Sequence, residues 1–300
     1  MKILIAGSSG LVGNALYPVL SAAGHVVFPL VRPPRIAGEK QVAWNPEAGE
    51  MDLSAAAGAE GVVNLAGASI AGSRWSEERK RELRTSRIDS TRALVDAIAK
   101  LEPRPRVLVS ASAVGYYGNR GDERLDEDSA PGEGFLAKLA ADWEAEASRA
   151  ETFGIRTVLL RFGVILSGQG GALGQMLGPF RLGVGGRLGS GRQWMAWVAM
   201  ADIVGMIRAA LENEGWRGAY NCVAPEPVRN SEFTKALGRV LHRPTIFPVP
   251  PVALRTLFGE MADDMLLASQ RVEPKRAVRI GYSYAYAGLE PALREAITPS

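Results

Sequence analysis

The chain opens with a short apolar run, residues 3–6, that stops at a glycine. Glycines then recur at 7, 10 and 13 as a helical apolar pattern begins with Leu11, Val12, Ala15 and Leu16. A buried strand, a tight turn and a helix N-terminus in that order leave few structural options. Gly7 permits the turn, Gly10 lets phosphates approach the backbone, and Gly13 lets helix and strand pack closely. Unpaired N–H groups and the positive helix end converge there, so the segment reads as the phosphate site of a dinucleotide. Ser9, Leu11 and Val12 belong to the same expected contact set. The competing reading is a structural loop with nothing bound.

The pattern that follows extends this start. A helix at about 11–23 closes at Gly24, and Val26–Val31 is a second apolar strand; residues 33–58 read as loop. A third buried strand spans 61–67, with Leu65, Ala66 and Gly67 at its end. Ser76 caps a long helix to about 99. A strand at 106–112, a helix at about 134–153 and a strand at 156–166 continue the alternation. This order predicts an α/β fold, a Rossmann-type doubly wound parallel sheet with a smaller C-terminal substrate lobe. Residues 1–166 form the expected dinucleotide domain, to which a helix and strand within 200–224 return. Residues 167–199 and 225–300 supply Gly-rich loops and the lobe; eleven glycines between 163 and 191 exclude one regular element there. A short helix is expected at 173–182, and Asn230 or Ser231 caps another to about 241.

Composition narrows the function classes. With 300 residues, 47% of them hydrophobic, a large core is affordable. One cysteine, Cys222, excludes an internal disulfide, and two distant histidines, His25 and His242, exclude the usual zinc spacings, so no metal is expected. A net charge of +3 with scattered arginines argues against nucleic acid. No apolar run approaches the ~18 residues of a membrane helix, and a cytoplasmic protein is expected. The second strand ends in Arg32 and Arg35, with no acid between residues 24 and 38. A carboxylate there would bind the ribose 2′-hydroxyl of NAD, whereas a guanidinium accommodates a 2′-phosphate. NADP(H) is therefore favoured over NAD(H); in the alternative, Arg32 is a solvated strand end.

GSSGLVG at 7–13, NLAG at 64–67, SASAVGYYG at 110–118, RFGVIL at 161–166, WVAMADIV at 197–204 and AYNCVAPEPVRN at 219–230 together resemble the extended short-chain dehydrogenases/reductases. WNP at 44–46, RWSEERK at 74–80, SRIDSTR at 86–92, GSGRQWMAWV at 189–198 and HRP at 242–244 are similar to an atypical subfamily of NAD-dependent epimerases/dehydratases, sugar-nucleotide epimerase-like, some of whose members carry a cell-division-inhibitor label.

The resemblance implies a Ser–Tyr–Lys set in which tyrosine moves the proton, lysine holds the ribose and lowers the tyrosine pKa, and serine steadies the substrate oxygen. It places Ser112 at the serine position, with Ser110 second and also beside the cofactor, and Lys138 at the lysine position. One helical turn before Lys138, where tyrosine is expected, stands Gly134. Tyr116 and Tyr117 are the nearest spare phenols, Tyr117 as a catalytic substitute or as packing, and Glu133 is a weaker candidate. Met195 stands where related epimerases carry a substrate arginine. Arg192 and Arg187 either meet an anion or face solvent, and Trp194 and Trp197 either stack on substrate or pack the lobe. Tyr116, Arg192 and Trp197 are the expected substrate contacts. The resemblance thus implies an NADP(H)-dependent oxidoreductase or epimerase for a small hydroxyl- or carbonyl-bearing metabolite, dimeric through helices 76–99 and 134–153. The missing tyrosine supports an alternative, a cofactor-binding sensor without turnover.

Overall fold

A computed structural model describes residues 1–71 and 73–298. β1 (Lys2–Ala6) runs into α1 (Leu11–Ala22) and β2 (Val26–Val31); β3 (Val42–Asn45), β4 (Glu50–Met51) and the single turn α2 (Leu53–Ala56) lead to β5 (Gly61–Asn64). α3 (Glu77–Arg84) continues through a π-helical turn (Thr85–Asp89) into α4 (Ser90–Ile98). β6 (Val107–Ala113), β7 (Arg124–Leu125), α5 (Phe135–Ser148), β8 (Arg156–Phe162) and β9 (Val164–Leu166) come next. Then follow α6 (Gly171–Arg181), β10 (Trp194–Met195), β11 (Trp197–Ala199), α7 (Met200–Glu212), β12 (Gly218–Cys222), β13 (Val228–Arg229) and α8 (Asn230–Leu241). The last segment holds α9 (Pro251–Phe258), a second π-helical turn (Ala262–Leu266), β14 (Arg271–Val272), α10 (Lys275–Arg279) and α11 (Leu289–Ile297).

Eight strands form the main sheet in the order β12-β8-β6-β5-β1-β2-β3-β4, parallel throughout except for the β3–β4 pair. The strands are apolar on both faces because both faces are covered. Ile3 and Ile5 pack with Leu16, Leu20, Ile203 and Ile207 of α1 and α7. Leu4, one residue out of phase, packs with Leu94, Val95, Ile98 and Ala147 on the opposite side. The α/β doubly wound fold is therefore the one expected. Its strand order reverses between β1 and β5, and a crevice opens beyond their carboxyl ends.

Three expectations need correction. Residues 33–58 are not all loop: Val42 and Trp44 turn inward at period two and β3 and β4 extend the sheet, a signal too short to stand out beside Pro33, Pro34 and Pro46. The strand expected at 156–166 breaks at Gly163. An alanine Cβ there would lie 2.7 Å from the Ala196 carbonyl, which accepts from the Val164 N–H, and this close approach diverts β9 from the main sheet to β11. Asn230 is not a cap. Its Oδ1 accepts from the Leu188 N–H at 2.8 Å, while the Glu232 carboxylate closes the helix start on the Arg229 N–H at 2.6 Å.

A third cluster of apolar side chains joins Leu173, Leu177, Trp197, Phe233, Leu237 and Leu293, tying α6, α8 and α11 together beside the sheet. Asp202 at the start of α7 holds the C-terminal segment, accepting from the N–H groups of Ala285 (2.7 Å) and Tyr286 (3.2 Å). Among the described residues no helix is long and apolar enough to cross a membrane.

Candidate cofactor and active site

The crevice is built by backbone. Gly7 takes φ +80°, and an alanine Cβ there would lie 2.6 Å from the Leu65 carbonyl oxygen. At Gly13 a Cβ would lie 2.4 Å from the Gly7 oxygen, so both glycines are demanded by the protein itself. Gly10 differs. Its φ of −80° suits any residue, and a Cβ would meet only the Gly7 oxygen, at 3.3 Å. The fold asks far less of this exposed position than of residues 7 and 13, and the open space beside it suits something from outside. Gly10 is also the N-cap of α1 and offers no side-chain cap, and the first turn carries no acid. The leading N–H groups of α1 and the helix dipole thus face the crevice uncompensated, a setting that suits a diphosphate.

The other expected cofactor residues fall into two groups. Ser9 is exposed beside Gly10, and Leu11 is half-buried. Leu65, Ala66 and Gly67 leave β5 across the crevice, with the Leu65 N–H on the Ala6 carbonyl. Arg32 and Arg35 are exposed at the end of β2 and make no ion pair among the described residues. Val12 turns its side chain into the core instead. Ser110 is fully buried, its Oγ accepting from Asn64 Nδ2 at 3.3 Å and donating to the Ala111 carbonyl, so its hydroxyl is taken up inside the fold.

Ser112 and Tyr117 require a firmer correction. Ser112 is buried, and its Oγ donates to Glu144 Oε1 at 2.6 Å. Glu144 accepts two bonds from Arg161, at 2.7 and 2.8 Å, and Arg161 Nη1 donates to the Tyr117 hydroxyl at 2.8 Å. That hydroxyl lies 2.7 Å from Asn221 Oδ1 and 2.9 Å from the Asp126 carbonyl. The Tyr117 ring is 0% exposed, and burial pushes its phenol up to about 12. A sealed phenol that stays protonated cannot exchange protons with a substrate; it anchors a buried polar chain. Tyr116 is half-buried and its ring lies 3.6 Å beneath the Arg161 guanidinium.

Lys138 lies on the exposed side of α5, its Nζ 3.2 Å from Asp142 Oδ1. Gly134, the N-cap of α5, takes φ +99°. Here the structure supplies something sequence reasoning missed: Asp264, from the C-terminal π-helical turn, accepts from the Phe135 N–H at 3.1 Å. An alanine Cβ at position 134 would lie 3.1 Å from the same carboxylate oxygen. Arg87 was also missed. Its guanidinium is buried against Gly67, donates to the Ala68 carbonyl at 2.9 Å, and has no carboxylate partner among the described residues. Burial, reinforced by Arg79, pulls it down to about 10. The only sequence hint was its place in the 86–92 motif, on a helix whose π-turn no pattern announces.

A cleft of about 420 Å³ lies between the loop after β6, the Gly-rich loop and the C-terminal segment, lined among others by Asp122, Arg192, Gln193, Arg229, Arg255 and Ser269. Arg192 is exposed and carries no ion pair among the described residues, whereas Arg229 pairs with Asp122 at 2.9 Å and Arg255 with Asp263 at 2.9 Å. Trp194 lies between Arg229 and Arg271, 4.2 and 4.5 Å from its ring. Trp197 does not line the cleft. It is 1% exposed and its Nε1 donates to the Glu226 carbonyl, so it packs the lobe. No cluster of metal-ligating side chains occurs among the described residues.

The profile of the NAD dependent epimerase/dehydratase family matches residues 3–222, and a domain of unknown function, DUF1731, matches residues 249–296. An epimerase family protein of Mycobacterium tuberculosis is 45% identical over 296 residues, covering 99% of this chain and 97% of its own. The crystal structure of human epimerase family protein SDR39U1 with NADPH is 35% identical, with a TM-score of 0.90 and 99% of each chain covered. A Corynebacterium glutamicum nucleoside-diphosphate sugar epimerase structure is 32% identical with a TM-score of 0.82, covering 99% of this chain and 58% of that one. The glycine turn, the crevice at the strand reversal and these end-to-end similarities make the chain a member of the NAD dependent epimerase/dehydratase family.

Proposed function

We propose that the protein binds NADP(H) in the β1–β5 crevice and acts as an oxidoreductase or epimerase on a small hydroxyl- or carbonyl-bearing metabolite. The observation that carries this reading is Gly10, a glycine the fold constrains far less than Gly7 or Gly13, at an uncapped helix start. The amides of Leu11 and Val12 would hold the diphosphate, and Leu65 to Gly67 would flank the cofactor across the crevice. Arg32 and Arg35 would take the 2′-phosphate. The similarity to a human relative crystallised with NADPH supports the same choice. When bound, the nicotinamide gives or takes a hydride at C4. The arginine-lined cleft favours a substrate carrying an anionic group, with the unpaired Arg192 as its first contact.

Calorimetry with NADPH and NADH tests the cofactor preference. Arg32→Asp is expected to weaken NADPH binding by roughly 10- to 100-fold, the loss of a charge-assisted bond of about 1.5–3 kcal/mol, and NADH binding far less. Equal losses would remove the 2′-phosphate argument.

One observation favours a second reading, a cofactor-binding sensor without turnover: Ser112 and Tyr117 are locked into the buried Glu144–Arg161 chain. That reading predicts tight NADPH binding and no nicotinamide oxidation with any carbonyl compound. Turnover of any substrate by the wild-type protein would exclude it.

A further inference from the structure

The absence of tyrosine at position 134 has a physical counterpart. Gly134 has φ +99°, which disfavours every side chain, and the space a side chain would enter holds the Asp264 carboxylate. A group from the far end of the chain thus stands where the side chain that the family resemblance expects at this position would begin. The carboxylate is held by the helix itself, through the Phe135 N–H at 3.1 Å, and the residue is half-buried. It sits on a π-helical turn, a feature found often at functional sites. The neighbouring Leu136 packs 3.3 Å from the Cβ position of Gly115, just beyond the end of β6. That strand end borders the expected nicotinamide space.

We infer that Asp264 is the proton-transfer group of this site, replacing the tyrosine that Gly134 lacks. The inference rests on the cofactor reading above. In the oxidative direction a substrate alcohol gives its O–H proton to an Asp264 carboxylate oxygen. The carbon's hydride leaves with its electron pair to oxidised NADP, and the substrate becomes a carbonyl. In reduction the carboxylic acid returns the proton to the oxygen as the carbon accepts hydride. The charged groups facing Asp264 are Glu260, from the turn before it, and Lys80 of α3, which pairs with Glu260 at 2.5 Å. Burial raises the Asp264 carboxyl above its ordinary value against the pull of the Leu136 and Phe135 amides, and Glu260 adds to the rise. That direction suits a group that must take up and return a proton.

The test is carboxyl carbon-13 NMR on protein labelled at aspartate, with the Asp264 resonance assigned by its loss in Asp264→Asn. Should that variant not fold, Asp264→Glu makes the same assignment while keeping a carboxylate on the helix. The resonance is followed across the mildly acid range with saturating NADPH and then with saturating oxidised NADP. The positive ring of the oxidised cofactor, if within about 10 Å, should make Asp264 titrate about half a pH unit lower or more than with NADPH. The Asp52 carboxyl, which follows the edge strand β4, should titrate alike in both. A carboxylate too far from the nicotinamide to exchange a proton with a substrate there would titrate identically with the two cofactors, and that result overturns the inference while leaving the cofactor reading intact. Calorimetry showing no binding of either cofactor would overturn both.

Discussion

Gly10→Ala is expected to lower NADPH affinity roughly 10- to 100-fold, a steric insertion of about 1–3 kcal/mol, while the melting temperature stays at the wild-type value. The added methyl would meet only the Gly7 oxygen, at 3.3 Å, a close contact relieved by a shift of a few tenths of an ångström, and would otherwise find open space. Gly13→Ala makes the opposite demand. Its Cβ would lie 2.4 Å from the Gly7 oxygen and 2.6 Å from Ser8 Cα, both backbone atoms that can move only by parting α1 from β1. That variant should lose both binding and several degrees of melting temperature. Differential scanning fluorimetry and calorimetry on the two proteins check the contrast. If Gly10→Ala proved as unstable as Gly13→Ala, Gly10 would be a structural glycine and the chief support for a ligand there would disappear.

The second large effect concerns stability alone. Glu144→Gln should destabilise the protein by about 3–5 kcal/mol, because it leaves the Arg161 guanidinium buried without its counter-charge. For a chain of this size that is a fall in melting temperature of roughly 6–15 °C. Burial alone would pull Arg161 down, but the two hydrogen bonds it donates to the Glu144 carboxylate reverse the direction, so the arginine is charged throughout the working range. Ser112→Ala removes one hydrogen bond from the same carboxylate and should cost only about 1–3 kcal/mol, with NADPH affinity unchanged. An unchanged melting temperature for Glu144→Gln would show that the buried chain contributes little to the fold.

Much of the fold could be read from the residues because its determinants are local. The glycine turn, the apolar strands and the helix starts each reveal themselves within a dozen positions, and the parallel sheet follows from their alternation. The crevice was legible for the same reason: Gly7, Gly10 and Gly13 sit within one turn and helix start. The surroundings of Ser112 and Tyr117 were not legible. Their partners lie 32 residues away at Glu144, 44 at Arg161 and 104 at Asn221, and no spacing rule connects a strand-end serine to them. Asp264 lies 129 residues from the Phe135 amide it caps, on a π-helical turn that has no apolar period of its own. Gly134 could be recognised as a departure, but its positive φ and the carboxylate beside it became visible only once the chain had folded back. The break at Gly163 escaped for a related reason: the atom it must admit, the Ala196 oxygen, belongs to another loop.

The central claim is that the β1 turn holds a dinucleotide by its diphosphate, and a crystal structure of the protein grown with NADPH tests it most directly. The account predicts diphosphate oxygens on the Leu11 and Val12 amides over Gly10, with the 2′-phosphate at Arg32 and Arg35. A crevice without the cofactor, or a cofactor seated elsewhere on the protein, would contradict it.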